Sequence, residues 1–84
     1  METHKKYTKD EIRSILDELG NEDKYGIVLR AKGYVASADG AAWVHFDYVP
    51  GEADIREGGA MVIGRVCVIG SKMNEDAIRA LLGA

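Results

Sequence analysis

Three residues in this sequence have side chains suited to chemistry at a shared site: His45, Asp47 and Cys67. An imidazole, a carboxylate and a thiolate are legitimate ligands for Zn²⁺ or Co²⁺. His45-x-Asp47 puts two of them on one face of a strand, and Cys67 joins that face if its own strand lies nearby. No other pair has a short diagnostic spacing. Cys67 also sits in an apolar run, where a free cysteine usually packs as a small hydrophobe. Direct binding of a metal or small ligand is therefore the second reading, and no metal site is assigned. Nucleophilic catalysis would need Cys67 activated by His45, with a third group to orient the ring. Nothing marks that group, an oxyanion hole or a substrate pocket, so no catalytic or cofactor-binding residue is assigned. The glycines, ten in all, fall where hairpins turn. None joins a strand to a helix start with the spacing a phosphate loop needs.

A second set of residues suits recognition. Arg30 and Lys32 alternate on one strand face, Tyr34 follows, and Trp43 is expected across a hairpin. Aromatic and arginine side chains are enriched at interface hot spots. A cation over one of these rings would contribute about 0.5–1 kcal/mol at an exposed site. With His45 and Asp47 these residues form a candidate partner-binding surface. The plainer alternative is a solvated sheet face whose long stems cover the rings.

Composition limits what such a surface can meet. A chain of 84 residues with 46% hydrophobic and 30% charged residues suits one small domain with little room for a deep cavity. The net charge of −3 spreads eleven basic among fourteen acidic residues, which argues against nucleic acid and anionic membrane as partners. A single cysteine and an opening without a secretory signal point to a reducing cytoplasm. Residues 1–7, His4 included, are polar and expected to be disordered.

The elements that must position the candidate residues are legible. Thr8-Lys9-Asp10-Glu11 has the spacing of a capping box, and Tyr7 can staple onto Ile12. Ile12, Ile15, Leu16 and Leu19 predict a helix over 9–19, stopped by Gly20. Strands follow at 26–36, 43–49, 53–56 and 61–69, separated by Asp39-Gly40, Pro50-Gly51 and Gly58-Gly59 turns. The last strand is apolar on both faces, which predicts a central or covered position. The charged 53–56 strand suits a guarded edge. Asn74 caps a second helix that buries Ala77, Ile78, Leu81 and Leu82. The expected fold is α+β: a two-layer sandwich with a four-stranded, mainly antiparallel meander and both helices on one face. Leu29, Val35, Val44 and Phe46 should lie under the helices, with Ala31 and Gly33 letting a helix approach. Arg30, Lys32, Tyr34, Trp43, His45 and Asp47 should face outward.

The strand Val28-Leu29-Arg30-Ala31-Lys32-Gly33-Tyr34-Val35 resembles the "LRAKG" strand of the C-terminal domain of CobW-type GTPases. Arg65-Val66-Cys67-Val68-Ile69-Gly70, followed by the helix at Asn74-Glu75-Asp76-Ala77-Ile78, resembles that domain's "R-x-x-x-IG" strand and closing helix. The likeness covers about 26–82, and the preceding helix also fits. It implies a domain of 1–84 that accompanies a GTPase module in proteins of metal delivery and cobalamin synthesis. In that family the nucleotide and metal sites belong to the GTPase half. Neither the G-x-x-x-x-G-K-[ST] stretch nor the Cys-x-Cys-Cys metal motif is present here. The expectation is a non-enzymatic, cytoplasmic accessory domain without cofactor. Its partner would be a protein, for instance such a GTPase module in cis or in trans, met through the open sheet face.

Overall fold

Thr8 and Glu11 open the first helix as their spacing requires. In the computed structural model, which describes residues 1–40 and 42–83, the Thr8 hydroxyl accepts from the Glu11 N–H at 3.0 Å. The Glu11 carboxylate accepts in return from the Thr8 N–H at 2.9 Å. Helix α1 (Lys9–Glu18) buries Ile12, Ile15 and Leu16, with Leu19 at its C-cap. Gly20 does not provide the expected left-handed stop. Leu19 closes the helix in the right-handed region, and the chain makes a further single turn, α2 (Glu22–Tyr25), before the positive φ appears at Gly26. Four residues are too few to show helical periodicity, which is why α2 was not expected. Its buried Tyr25 donates to the Glu18 carboxylate at 3.2 Å.

The opening residues are ordered, contrary to expectation. They form β1 (Glu2–Thr3) and β2 (Lys6–Tyr7). Their side chains are mostly polar, but strand pairing uses main-chain groups that composition does not report. Met1 donates its ammonium to the Val66 carbonyl at 2.8 Å and accepts from the Val66 N–H at 2.9 Å. Tyr7 is 1% exposed and donates to the Leu82 carbonyl at 2.6 Å. That bond ties the start of the chain to α3 (Glu75–Leu82), whose Asn74 cap accepts from the Ala77 N–H at 3.2 Å.

The long strands are β3 (Ile27–Ser37), β4 (Trp43–Val49), β5 (Glu52–Gly58) and β6 (Gly64–Ser71). The α+β class and the mainly antiparallel sheet hold, but the sheet has six strands in place of four. Its order is β1-β6-β3-β4-β5, with β2 pairing in parallel with the end of β3. Nor is it a simple meander. The chain leaves β5 at one edge, crosses the sheet end through residues 59–63 and lays β6 beside β3, a Greek key. Gly51, at φ 83°, supplies the positive dihedral that the two-residue turn between β4 and β5 demands. Asp39 and Gly40 lack positive φ, so the β3–β4 connection is a longer loop and not the tight primed turn expected.

Pleating sorts the two faces with one exception. Val28, Ala31, Val35, Val44, Phe46, Tyr48 and Val66 are buried beside the residues of α1 and α3. Leu29 was expected among them, yet it is 54% exposed. The register shifts between Val28 and Arg30, so one extra residue of β3 faces a partner strand that has none. Such a bulge reverses the alternation. Val28 and Ala31 therefore point inward, three positions apart, while Leu29 turns out. Gly33 admits a strand and not a helix: a Cβ there would run into the Arg65 carbonyl and stand 3.0 Å from the Val66 Cα.

Candidate functional site

Antiparallel register lines the open face into two rows that cross the strands. One row reads Cys67, Lys32, Asp47, Asp54 from β6 to β5. The next reads Glu2, Arg65, Tyr34, His45, Arg56 from β1 to β5. Trp43 lies one step beyond, level with Gly58. Both helices long enough to cover a sheet pack on the opposite face. The six residues expected on the docking face, Arg30, Lys32, Tyr34, Trp43, His45 and Asp47, all lie on this side and are exposed or half-buried. Around Lys32, Tyr34, His45, Arg56, Arg65 and Cys67 the face sinks into a shallow depression of about 390 Å³.

Charge on this face is nearly compensated. Asp47 stands 3.4 Å from both the Arg30 and the Arg56 guanidinium, and Arg56 also reaches Asp54 at 2.8 Å. Arg65 pairs with Glu2 at 3.0 Å. Exposed pairs of this kind contribute about 0–1 kcal/mol each, so they orient side chains more than they hold the fold. Lys32 has no carboxylate within ion-pair distance among the described residues.

His45 is held twice. Its ring lies 5.7 Å from that of Tyr34, tilted by 34°, and its Nε2 lies 3.0 Å from the Gly59 carbonyl oxygen. The expected cation over Tyr34 or Trp43 is absent among the described residues. The cation–ring contacts are Lys5 over Tyr7 and Lys24 over Tyr25, at 5.3 and 5.4 Å. Trp43 sits diagonally from Tyr34, because the residue directly opposite Tyr34 is His45.

The metal alternative fares poorly on the same geometry. Cys67 does share the face with His45 and Asp47, but Lys32 intervenes between Cys67 and Asp47. Two strand spacings, about 10 Å, separate their backbones. Among the described residues no group of three or more His, Cys, Asp or Glu is arranged to hold a metal ion. Cys67 is exposed, not packed as a core hydrophobe.

Arg56 and Arg65 were missed as site residues, although both flank the Tyr34–His45 pair. The alternation of Asp54 and Arg56 with the inward Ala53 and Ile55 carried the signal for Arg56. Arg65 needed the β3–β6 pairing, which no local pattern reveals. Among the described residues no helix is long and apolar enough to cross a membrane.

The family model described as the cobalamin synthesis protein cobW C-terminal domain matches residues 1–84. No curated protein matches. Among solved structures, the chain is similar to the Zn(II)-bound YjiA GTPase from E. coli, with a TM-score of 0.79 at 18% identity. A Zn(II)-bound triple mutant of YjiA gives a TM-score of 0.80 at the same identity. In both, 99% of this chain is covered but only 27% of the GTPase chain. At that identity the likeness speaks for the fold.

Proposed function

The chain belongs to the cobalamin synthesis protein cobW C-terminal domain family, and from that premise we propose that it is a non-enzymatic accessory domain that docks on a protein partner through its open sheet face. The partner we favour is a P-loop GTPase module, supplied in cis or in trans. The solved proteins of the same fold are GTPases of which this chain spans about a quarter. Neither a phosphate-binding loop nor a Cys-x-Cys-Cys motif occurs in these 84 residues. Nucleotide and metal chemistry would therefore lie with the partner, in a reducing cytoplasm.

One observation carries the reading: a broad sheet face left without a helix among the described residues, with the Tyr34–His45 pair at its centre, Trp43 beyond it at the start of β4, and Arg30, Lys32, Arg56 and Arg65 around the pair. Rigid strands hold these rings in place, so little side-chain freedom remains to be lost on docking. The rings offer apolar area, and the shared carboxylate of Asp47 keeps two guanidinium groups fanned across the surface. Among the described residues Lys32 has no ion pair, which leaves its charge available to a carboxylate of the partner.

The test is to titrate the isotopically labelled domain with a CobW-type GTPase module and follow amide shifts. The reading expects shifts along both rows of the open face. Shifts confined to α1 and α3, or none at all, would refute it. Tyr34→Ala should weaken the complex by about 1–2 kcal/mol, the range of a moderate interface hot spot.

A further inference from the structure

We infer that Lys32, Tyr34, Arg65 and Cys67 form a receptor for a carboxylate side chain of the protein partner. The inference rests on the open-face reading and names the chemistry that the partner must bring to it. Register supplies the first argument. Lys32 pairs with Cys67, and Tyr34 with Arg65, across β3 and β6. The four positions make a square on the open face, with the two cations on one diagonal and the phenol and thiol on the other. Diagonal neighbours in such a ladder stand about 7–8 Å apart, within reach of long side chains. All four residues line the depression of about 390 Å³. Each ends in a hydrogen-bond donor: an ammonium, a guanidinium, an O–H and a weaker S–H. An ionised carboxylate is the matching group, because it only accepts.

Ion pairing supplies the second argument. Lys32 stands directly opposite Asp47 in the β3–β4 register, where a cross-strand ion pair is expected. The pair is not made. Asp47 turns Oδ1 to Arg30 and Oδ2 to Arg56, each at 3.4 Å, and Arg56 also reaches Asp54 at 2.8 Å. The carboxylates on the β4–β5 side of the depression are therefore engaged with guanidinium groups. Arg65 meets Glu2 through Nη2 at 3.0 Å, and its planar fork carries further N–H groups.

Charge balance supplies the third. Lys32, Arg56 and Arg65 line the depression against one carboxylate, Asp47. This local excess is opposite in sign to the net charge of −3 of the whole chain. Lys32 and Arg65 repel each other across the square, and a carboxylate between them would convert that repulsion into two attractions. Docking would also exclude water there, which strengthens charge-assisted hydrogen bonds.

The experiment titrates the labelled 84-residue chain with a CobW-type GTPase module. The Arg65 Nε–H and the amides of Lys32, Tyr34 and Cys67 should shift together. Lys32→Gln and Arg65→Gln should each weaken the complex by about five-fold or more, and Lys32→Arg should largely restore it. Sulfate should displace the module more effectively than chloride at equal ionic strength, since an oxyanion competes for the same donors. A complex that shifts the open face yet ignores both glutamine substitutions overturns this proposal and leaves the docking reading standing. Sulfate that moves the four signals while Lys32→Gln leaves the module's affinity unchanged would assign the square to a free anion and also overturn it. Absence of any complex overturns both.

Discussion

The imidazole Nε2 of His45 lies 3.0 Å from the carbonyl oxygen of Gly59, across the point where the chain leaves β5 for its crossover. A carbonyl can only accept, so Nε2 carries the proton. The ring occupies the space that a side chain at residue 58 would need: a Cβ on Gly58 would collide with it. Gly58→Ala should therefore expel the ring and break the His45–Gly59 bond. The expected cost is about 1 kcal/mol in urea denaturation, that of one hydrogen bond on an exposed face. Nitrogen NMR of the imidazole should lose its preference for the Nε2–H tautomer. An unchanged tautomer with unchanged stability would show that the crossover does not rest on His45.

Tyr7 gives a pH dependence whose sign follows from its surroundings. Burial raises its phenol above the ordinary value near 10 and the Glu11 charge adds to this, while a hydrogen bond with Thr3 acts the other way. The folded state thus holds the phenolic proton more tightly than the unfolded chain. Its contribution is complete below about pH 10 and is lost as pH climbs through the raised folded value. Tyr7→Phe should flatten this part of the alkaline decline. It should also cost about 1–3 kcal/mol at neutral pH by leaving the buried Leu82 carbonyl unmet. Denaturant midpoints of both proteins across the alkaline range, taken as a difference, provide the check.

Gly33 should tolerate no side chain. Its Cβ would press on the Arg65 carbonyl and the Val66 Cα, backbone atoms that cannot rotate away. Gly33→Ala is expected to cost about 1–3 kcal/mol, the usual range for overpacking. Gly59→Ala is the matched control, since a Cβ there meets nothing within 4 Å. Equal thermal midpoints for the two variants would contradict the close β3–β6 approach.

Asp47→Asn should separate orientation from stability on the open face. The substitution keeps the shape but removes the charge that Arg30 and Arg56 share. Because the carboxylate and both cations are substantially exposed, stability should change by no more than about 0.5 kcal/mol. The guanidinium Nε–H signals of Arg30 and Arg56 should move, and affinity for a docked partner should change through the freed cations. A large loss of stability would show that the pairs hold the fold.

Much of the local architecture could be read without coordinates. The capping box at Thr8 and Glu11, the Pro50-Gly51 turn and the Asn74 cap act within four residues, so their physics is written in adjacent side chains. The outward set Arg30, Lys32, Tyr34, Trp43, His45 and Asp47 was legible for a similar reason, since strand pleating has a strict period of two. Leu29 escaped that rule because a bulge leaves no mark in polarity. The two N-terminal strands escaped because main-chain pairing is independent of side-chain type.

Sequence alone thus determined α1 and α3, the Pro50-Gly51 turn and the face shared by Arg30, Lys32, Tyr34, Trp43, His45 and Asp47, because each depends on neighbours along the chain. Tertiary structure decided that β6 returns to β3, that Arg65 and Arg56 flank Tyr34 and His45, and that Lys32 separates Cys67 from Asp47. Those relationships arise from strand order. Strand order is settled by burying the whole core at once, and no segment of the chain encodes it locally.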